Sequence, residues 1–532
     1  MLRRALFLLP ALLSLAPCRA ETEVEKANQE KILLVGTPLD PKSLDHQLVT
    51  GVTDYNIIRS LMEGLVADDE SSDTACPPGA ASSWEHNADL TEWIFHLRPE
   101  GKWSDGAPLT SADFLCAYER ILHPEVDAPF CEMLFFLKNA ERFHKGELMD
   151  FKEVGVAAPD DYTLKLTLRE PVPFLPLLVR HPAWFPLPRH VALKCGPLDS
   201  RSNWWSSADH YTGNGPFMPK SSAAGVQVEV GRNPRYWNAA KVKLNGIRFL
   251  TMGDSGKQSR AFLAGKLHLT WQLLPRMVDQ FRANNPQYVR QEPYFCTDLI
   301  RVNTTRPKLD NPKLRQALSL AIDRQSLCDD IWNGNRPAGT ITPEQGDYDP
   351  EPLTGFDPDR AKVLLTEAGY PGGAGLPPFK LLVTSTMPHD SLEAITGMWR
   401  KTLGIEVELR TEEFADYVAA QQKLDYDLAL AAWIGDYMDP SAFLGMWMKD
   451  SGNNNTGWSS AEYEKLLSEA ASQADPAQRL ATFKKAGRLF MEELPVLPVC
   501  YRGRNYLQRP EVKGWHPLLL DNHPWQAVSL EP

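Results

Sequence analysis

The stretch from Phe379 to Met448 constrains the fold of this chain more than any other. Phe379–Thr384 is an apolar run with the length of a buried strand, and Ser391–Leu403 reads as a helix. Ile405–Arg410 alternates apolar and polar side chains as a half-buried strand does. Phe414–Gln422 is helical again, and Tyr426–Ala432 is another buried strand. Strand, helix, strand, helix, strand with short links predicts an α/β unit on a parallel sheet, because parallel neighbours need a crossover that a helix supplies. In open sheets of this kind, ligands sit beyond the carboxyl ends of the strands. Two loops leave such ends here, Ser385–Asp390 and Trp433–Pro440, and ligand-contacting residues are expected among them.

Elsewhere, strands are predicted at Ile32–Gly36, Trp93–Leu97 and Thr163–Leu168. Thr110 and Asp113 form a capping-box entry to a helix through Phe114–Ile121. Asn311-Pro312 and Asp475-Pro476 each mark a helix start, the second helix running to about Glu493. At 532 residues the chain is long enough for about three domains of roughly 100–200 residues. Its net charge of -12, with no basic block, would repel a phosphate backbone and argues against nucleic acid as partner. The 15 Trp, 15 Tyr and 21 Phe suit either a large ligand cavity or ordinary cores.

The first twenty residues read as a secretory signal. Arg3 and Arg4 precede an apolar run from Ala5 to Ala16, and Ala20 offers a small residue for cleavage. The run is too short to span a bilayer and contains Pro10. Leu15-Ala16-Pro17-Cys18 resembles a lipid-attachment site, with Pro17 as an unfavourable neighbour, so cleavage after Ala20 is the reading adopted. The remaining cysteines are Cys76, Cys116, Cys131, Cys195, Cys296, Cys328 and Cys500, without metal-ligand spacing. Cys116 and Cys131 are a candidate pair, and the odd count leaves at least one thiol free or bonded to another chain.

Catalytic motifs are largely missing. There is no HExxH, no GxxxxGK and no GxSxG. Gly253-Asp254-Ser255-Gly256 looks like a serine-protease string, but Lys257 follows it, and it reads as a polar turn after a strand at Ile247–Thr251. Asp436 and Asp439 could be an acid–base pair, yet Asp439 before Pro440 is more simply a helix N-cap. No metal or cofactor is called for, and a secreted hydrolase using Ser255 stands as the alternative from another class.

A series of segments then falls in a telling order: Glu63-Gly64-Leu65-Val66, Trp93 to Arg98, Lys102 to Gly106, Thr110 to Phe114, Gly213 to Phe217, Arg232 to Trp237, and Arg315 to Arg324. Together they resemble the extracytoplasmic solute-binding proteins of ABC importers, specifically the oligopeptide-binding family. The resemblance implies a three-domain Venus-flytrap fold. One lobe would comprise 21–62, 188–295 and 503–532, an inserted domain 63–187, and the other lobe 296–502. It further implies a monomeric periplasmic receptor delivering oligopeptides to an inner-membrane ABC permease. The same fold also serves dipeptides, murein peptides, metal chelates, haem and sugars, which remain open as ligands.

The resemblance also assigns residues. Trp433-Ile434-Gly435-Asp436-Tyr437 matches the string whose aspartate pairs with a peptide's α-ammonium, which makes Asp436 the amino-end anchor. Thr50-Gly51-Val52 matches a segment that pairs with the peptide main chain, and Tyr294, Phe414 and Trp433 match aromatic pocket walls. His389 matches a histidine near the peptide carboxylate. Arginines expected before the tryptophan string are replaced by Gln421 and Leu430, leaving Arg301 as a candidate carboxylate partner. Cys296 matches a cysteine bridged in some relatives, but the partner position is Ile434.

Overall fold

The architecture rests on three larger sheets and a two-stranded pair of Val512–Lys513 with Ser529–Leu530, seen in a computed structural model that describes residues 21–531. Trp204, Ala208, Asp209, Thr386, Pro388 and Asp450 are not among the described residues, and His389 is described only in its backbone. The signal segment and Cys18 therefore lie outside the description. No described helix is long and apolar enough to cross a membrane.

In the first sheet, Ile32–Thr37 pairs in parallel with Gly246–Thr251, and Gln227–Arg232 and Phe217–Ala223 follow antiparallel. The second, antiparallel sheet orders Ala81–His86, Glu92–Leu97, Thr163–Thr167 and Val156–Asp160. The third has six strands, in the order Arg336–Pro337, Val496–Leu507, Val289–Val302, Leu428–Ile434, Phe379–Thr384 and Val407–Glu412. Phe379–Thr384 runs parallel to both its neighbours, as the crossover pattern predicts. Leu428–Ile434 is antiparallel to Val289–Val302, so the sheet is mixed and the parallel expectation holds for one half of it. Two strands start two residues later than expected, at Val407 and Leu428. Ile405 and Tyr426 are buried ahead of the ladder, so hydrophobicity begins before pairing does.

Val289–Val302 and Val496–Leu507 are long enough to join two surroundings. Their ladder runs from Val289 opposite Leu507 to Arg301 opposite Val496, with irregular register between Pro498 and Cys500 and between Tyr501 and Gly503. One end joins the first sheet through bridges of Leu269 to Val35 and Gln508; the other lies inside the third sheet. Gly503 is required at the bend, since a Cβ there would sit 1.8 Å from the Gly334 carbonyl oxygen.

Caps fall where the sequence places them. Thr110 and Asp113 form a capping box on Ser111–Leu122. Asn311 accepts from Lys313 N–H, and Asp475 from Gln478 N–H. Two readings need correction. Asp254 accepts from Lys257 N–H and caps the helix Ser255–Leu263, so the Gly-Asp-Ser-Gly string is a helix start rather than a plain turn. Cys116 and Cys131 are buried free thiols, not a bridge, and Cys131 Sγ lies 3.5 Å from His144 Nε2.

Several ordered sequence motifs meet in one knot. The buried Glu63 carboxylate accepts from Tyr236 Oη at 2.5 Å and Trp237 Nε1 at 2.7 Å, and the Arg98 guanidinium lies 3.6 Å over the Trp237 ring. Burial raises the Glu63 pKa to about 7, against the lowering effect of those hydrogen bonds. Asn214 accepts from Glu63 N–H and donates to Glu63 C=O, locking the flanking glycines against the end of the helix Val52–Leu61. A Cβ on Gly213 would lie 2.0 Å from Leu61 O, a backbone atom that cannot swing away. Gly213→Ala is therefore expected to cost about 1–3 kcal/mol by overpacking, read as a lower urea midpoint at unchanged slope.

Candidate functional site

A cavity of about 520 Å³ lies against the carboxyl-end half of Leu428–Ile434, within the range of ligand clefts. Leu430, Ala431, Ala432 and Ile434 form one wall, flanked by Met387 from the loop after Phe379–Thr384 and by Ser391 from the helix His389–Leu403. Of the two segments singled out in the sequence, Ser385–Asp390 reaches the cavity through Met387 and Trp433–Pro440 through Ile434, the last residue of its strand. Val52, Trp271, Gln272, Leu274 and Pro275 face them from the side of the first sheet, and Tyr294, Asp298, Arg502 and Arg504 come from the two long strands.

Of the predicted residues, Val52 and Tyr294 line this cavity. Gly51 is the N-cap of Val52–Leu61 with extended backbone, and its C=O accepts from Tyr55 N–H. A Gly51 Cβ would lie 2.4 Å from Asp54 Oδ2, so a side chain there would displace the carboxylate that accepts from Lys42 N–H. Thr50 precedes it, exposed. As the first residue of its helix, Val52 has an N–H with no intrahelical partner.

Asp436 follows Ile434 by two residues, placed by Gly435, whose N–H donates to Phe295 O at 2.9 Å. Among the described residues no hydrogen bond or ion pair engages the Asp436 carboxylate. Burial raises its pKa to about 7, and repulsion from Glu132 adds to the shift. Burial raises the pKa of the Tyr55 and Tyr294 hydroxyls, and the Asp436 charge adds to both shifts, which places Asp436 near the Tyr294 wall. Gly435 itself fits because its Cβ position is 2.3 Å from Phe295 Cε1 and 2.8 Å from Phe443 Cε2. Gly435→Ala is expected to cost about 1–3 kcal/mol and to weaken ligand binding by displacing Asp436; thermal melts and titration would show both.

Four other expectations are corrected. The Trp433 indole N–H donates to Ala442 O at 2.7 Å and its ring packs between two apolar clusters rather than lining the cavity. Phe414 is 71% exposed and stacks on Tyr417, away from the lining. Arg301 is buried, donates from Nη1 to Asn453 O and lies 5.6 Å from the Trp447 ring centre, so it does not meet the cavity. Asp439 is more than a cap: it accepts from Ser441 N–H and forms a buried two-pronged pair with Arg479, at 2.5 and 2.9 Å. The Arg479 guanidinium lies 5.1 Å over Phe174, and Phe174 stacks on Tyr437 at 5.2 Å. The His389 side chain lies outside the described residues.

Sequence reasoning missed the cations of the lining. Arg502 pairs with Asp298, and Arg504 with Asp521, which also contacts His523 Nε2 at 2.7 Å. Arg502-Gly503-Arg504 alternates on a strand, the spacing that puts both arginines on one face, and this was the available signal. Where a cation was looked for, Leu430 supplies an apolar wall, and Gln421 is buried and donates weakly to Tyr417 O.

The chain has extensive likeness to known proteins. It is 31% identical over 486 residues to the periplasmic oligopeptide-binding protein of Salmonella typhimurium, covering 89% of this chain and 88% of that one. The unliganded open form of a periplasmic murein tripeptide-binding protein superposes with a TM-score of 0.80 at 28% identity, over 94% of this chain and 98% of that chain. The Haemophilus influenzae oligopeptide-binding protein, in complex with RPPGFSPFR, superposes with a TM-score of 0.76 at 28% identity, over 94% and 99%. A family model described as bacterial extracellular solute-binding proteins, family 5 Middle, matches residues 76–455. The chain belongs to the family 5 bacterial extracellular solute-binding proteins.

Proposed function

We propose that this protein is a periplasmic receptor that captures oligopeptides and delivers them to an inner-membrane ABC permease, performing no chemistry on them. The observation that carries the reading is Asp436, a half-buried carboxylate without a counter-ion among the described residues, whose charge acts on the cavity-lining Tyr294. A desolvated anion is costly until a cation meets it, and a peptide's α-ammonium is a cation that arrives with the ligand. Relatives named for oligopeptides and murein tripeptide share the fold over nearly the whole chain, which fits peptides of differing length.

In this account the main chain of the peptide runs beside Thr50, Gly51 and Val52, where backbone groups serve every sequence equally. Tyr294 and Trp271 form apolar walls, and Arg502, rather than Arg301, is the partly exposed cation that meets a ligand carboxylate. The long strands Val289–Val302 and Val496–Leu507 serve as the hinge between a lobe of 21–62, 188–295 and 503–532 and a lobe of 296–502, with 63–187 inserted. The test is mass spectrometry of ligand released by denaturation from the mature protein, with Asp436→Ala in parallel. A mixture of short peptides, lost in the variant, is expected. A single non-peptide compound, or peptides retained equally by the variant, would overturn the reading.

A further inference from the structure

Both neighbours of Asp436 are held from the segment 63–187, which carries the second sheet and, among the described residues, contributes nothing to the cavity lining. On the amino side the connection runs through the main chain. Asp73, in the loop before Ala81–His86, accepts from Leu519 N–H at 2.6 Å and from Leu520 N–H at 3.2 Å. The Leu519 C=O accepts from Phe295 N–H at 2.8 Å, and the Phe295 C=O accepts from Gly435 N–H at 2.9 Å. On the carboxyl side the Tyr437 ring lies within 2° of parallel to the Phe174 ring, with centroids 5.2 Å apart. Leu177, three residues beyond Phe174, packs with Phe295, Tyr437, Leu519 and Leu520 in one small apolar cluster.

Each of these two residues is fixed within its own segment. The Arg180 guanidinium donates to the Asp73 C=O at 2.7 Å and to the Ala75 C=O at 3.1 Å, while Asp68 accepts from it at 2.8 and 3.0 Å. The Asp73 main chain is thereby clamped, and its side chain is left to reach across to the carboxyl-terminal stretch. Its two oxygens take two consecutive N–H groups, one each, which a carboxylate does and an amide, with one oxygen and one NH2, does not. Phe174 is 8% exposed and meets Phe136 edge-on at 5.8 Å, so its ring offers Tyr437 a fixed face.

We propose that the segment 63–187 positions the amino-end anchor, with Asp73 and Phe174 as the positioning residues: Asp73 sets Gly435 through Leu519 and Phe295, and Phe174 sets Tyr437. This rests on the reading of Asp436 as the partner of a peptide's α-ammonium. A charge-assisted hydrogen bond is strong only over a narrow range of distance and angle. The Asp436 carboxylate has no hydrogen bond of its own among the described residues, so its place is set by the main chain on either side. Holding residues 435 and 437 from a single segment removes that freedom before the ligand arrives, and the ammonium meets a carboxylate already in position. Neither Asp73 nor Phe174 touches the ligand in this account; both act through the residues next to Asp436.

The test is calorimetric titration of ligand-stripped wild type, Asp73→Asn and Phe174→Leu with a peptide recovered from the native protein, in free and N-acetylated forms. Circular dichroism and thermal melts establish which variants are folded, and if one fails to fold the other decides. Wild type is expected to prefer the free form by about 10- to 150-fold, and each variant by about 3-fold or less, with binding of the acetylated form within about 3-fold of wild type. A purely structural role would lower the melting temperature and leave that preference intact. Added to Asp436→Asn, neither substitution should weaken binding of the free form by more than about 2-fold, because the contact it positions is already gone. Full preference retained by the folded variants, or a further loss of about 10-fold in the Asp436→Asn background, would overturn the inference alone. Equal binding of both forms by wild type would overturn the anchor reading and this inference with it.

Discussion

Asp436→Asn is expected to weaken binding of a free-ended oligopeptide by about 10- to 150-fold, the equivalent of about 1.5–3 kcal/mol for a hydrogen bond between charged groups. The effect has a pH signature. With its pKa raised to about 7 by burial, Asp436 in the empty protein holds a proton below neutrality that the ammonium of a bound peptide would expel. Affinity therefore falls as pH drops below 7, approaching tenfold per unit. It also falls above about pH 8, where the peptide's own amino group loses its proton. The Asp436→Asn variant loses the acid limb and keeps the alkaline one weakly. Stability moves in the opposite sense. Because the folded-state pKa lies above the ordinary carboxylate value, the contribution of Asp436 to stability is present at acid pH and lost as pH rises through about 7. At pH 8 the empty variant should melt above empty wild type, and at pH 4 the two should converge. Calorimetric titration and melts at these pH values check both limbs.

Arg479→Leu is the stability change with the largest expected effect, a loss of about 3–5 kcal/mol. Arg479 and Asp439 have side chains 8% and 5% exposed, and the substitution strands Asp439 as a buried anion with only Ser441 to satisfy it. The same guanidinium covers Phe174, which stacks on Tyr437 immediately after Asp436. Peptide affinity should fall together with the urea midpoint, because the aromatic pair that borders the anchor loses its support. A loss below about 1 kcal/mol would show that Asp439 finds other compensation.

The sequence made the parallel half of the third sheet legible because strand and helix periodicities alternate cleanly from Phe379 to Gln422. It also placed the two loops of the cavity, since the carboxyl ends of parallel strands converge on one edge. What it could not show was direction of burial. Trp433 and Arg301 carry the chemistry of binding residues, but strand alternation and the register opposite Thr297 and Ala429 turn them into packing and backbone hydrogen bonding. Arg502 and Arg504 reach the cavity from a strand far beyond the tryptophan string, through a pairing with Val289–Val302 that no local pattern announces. The ordered motifs that revealed the resemblance proved largely structural. Glu63, Arg98, Asn214, Tyr236 and Trp237 build one knot, whereas Arg315 and Arg324 tie their helices to other elements through backbone carbonyls, Arg315 at Glu493 and Arg324 at Pro498. Cys296 faces Ile434 across the ladder, as the missing bridge implied.

The central claim is that Asp436 recognises the free amino end of a peptide. Its most direct test is calorimetric titration of ligand-stripped protein at pH 7.5 (about the expected optimum for both charged groups) with a peptide recovered from the native protein and with its N-acetylated form, each against wild type and Asp436→Asn. Acetylation is expected to cost wild type about 10- to 150-fold and to cost the variant little, since the two changes remove the same contact. Equal affinity of wild type for free and acetylated peptide would contradict the claim.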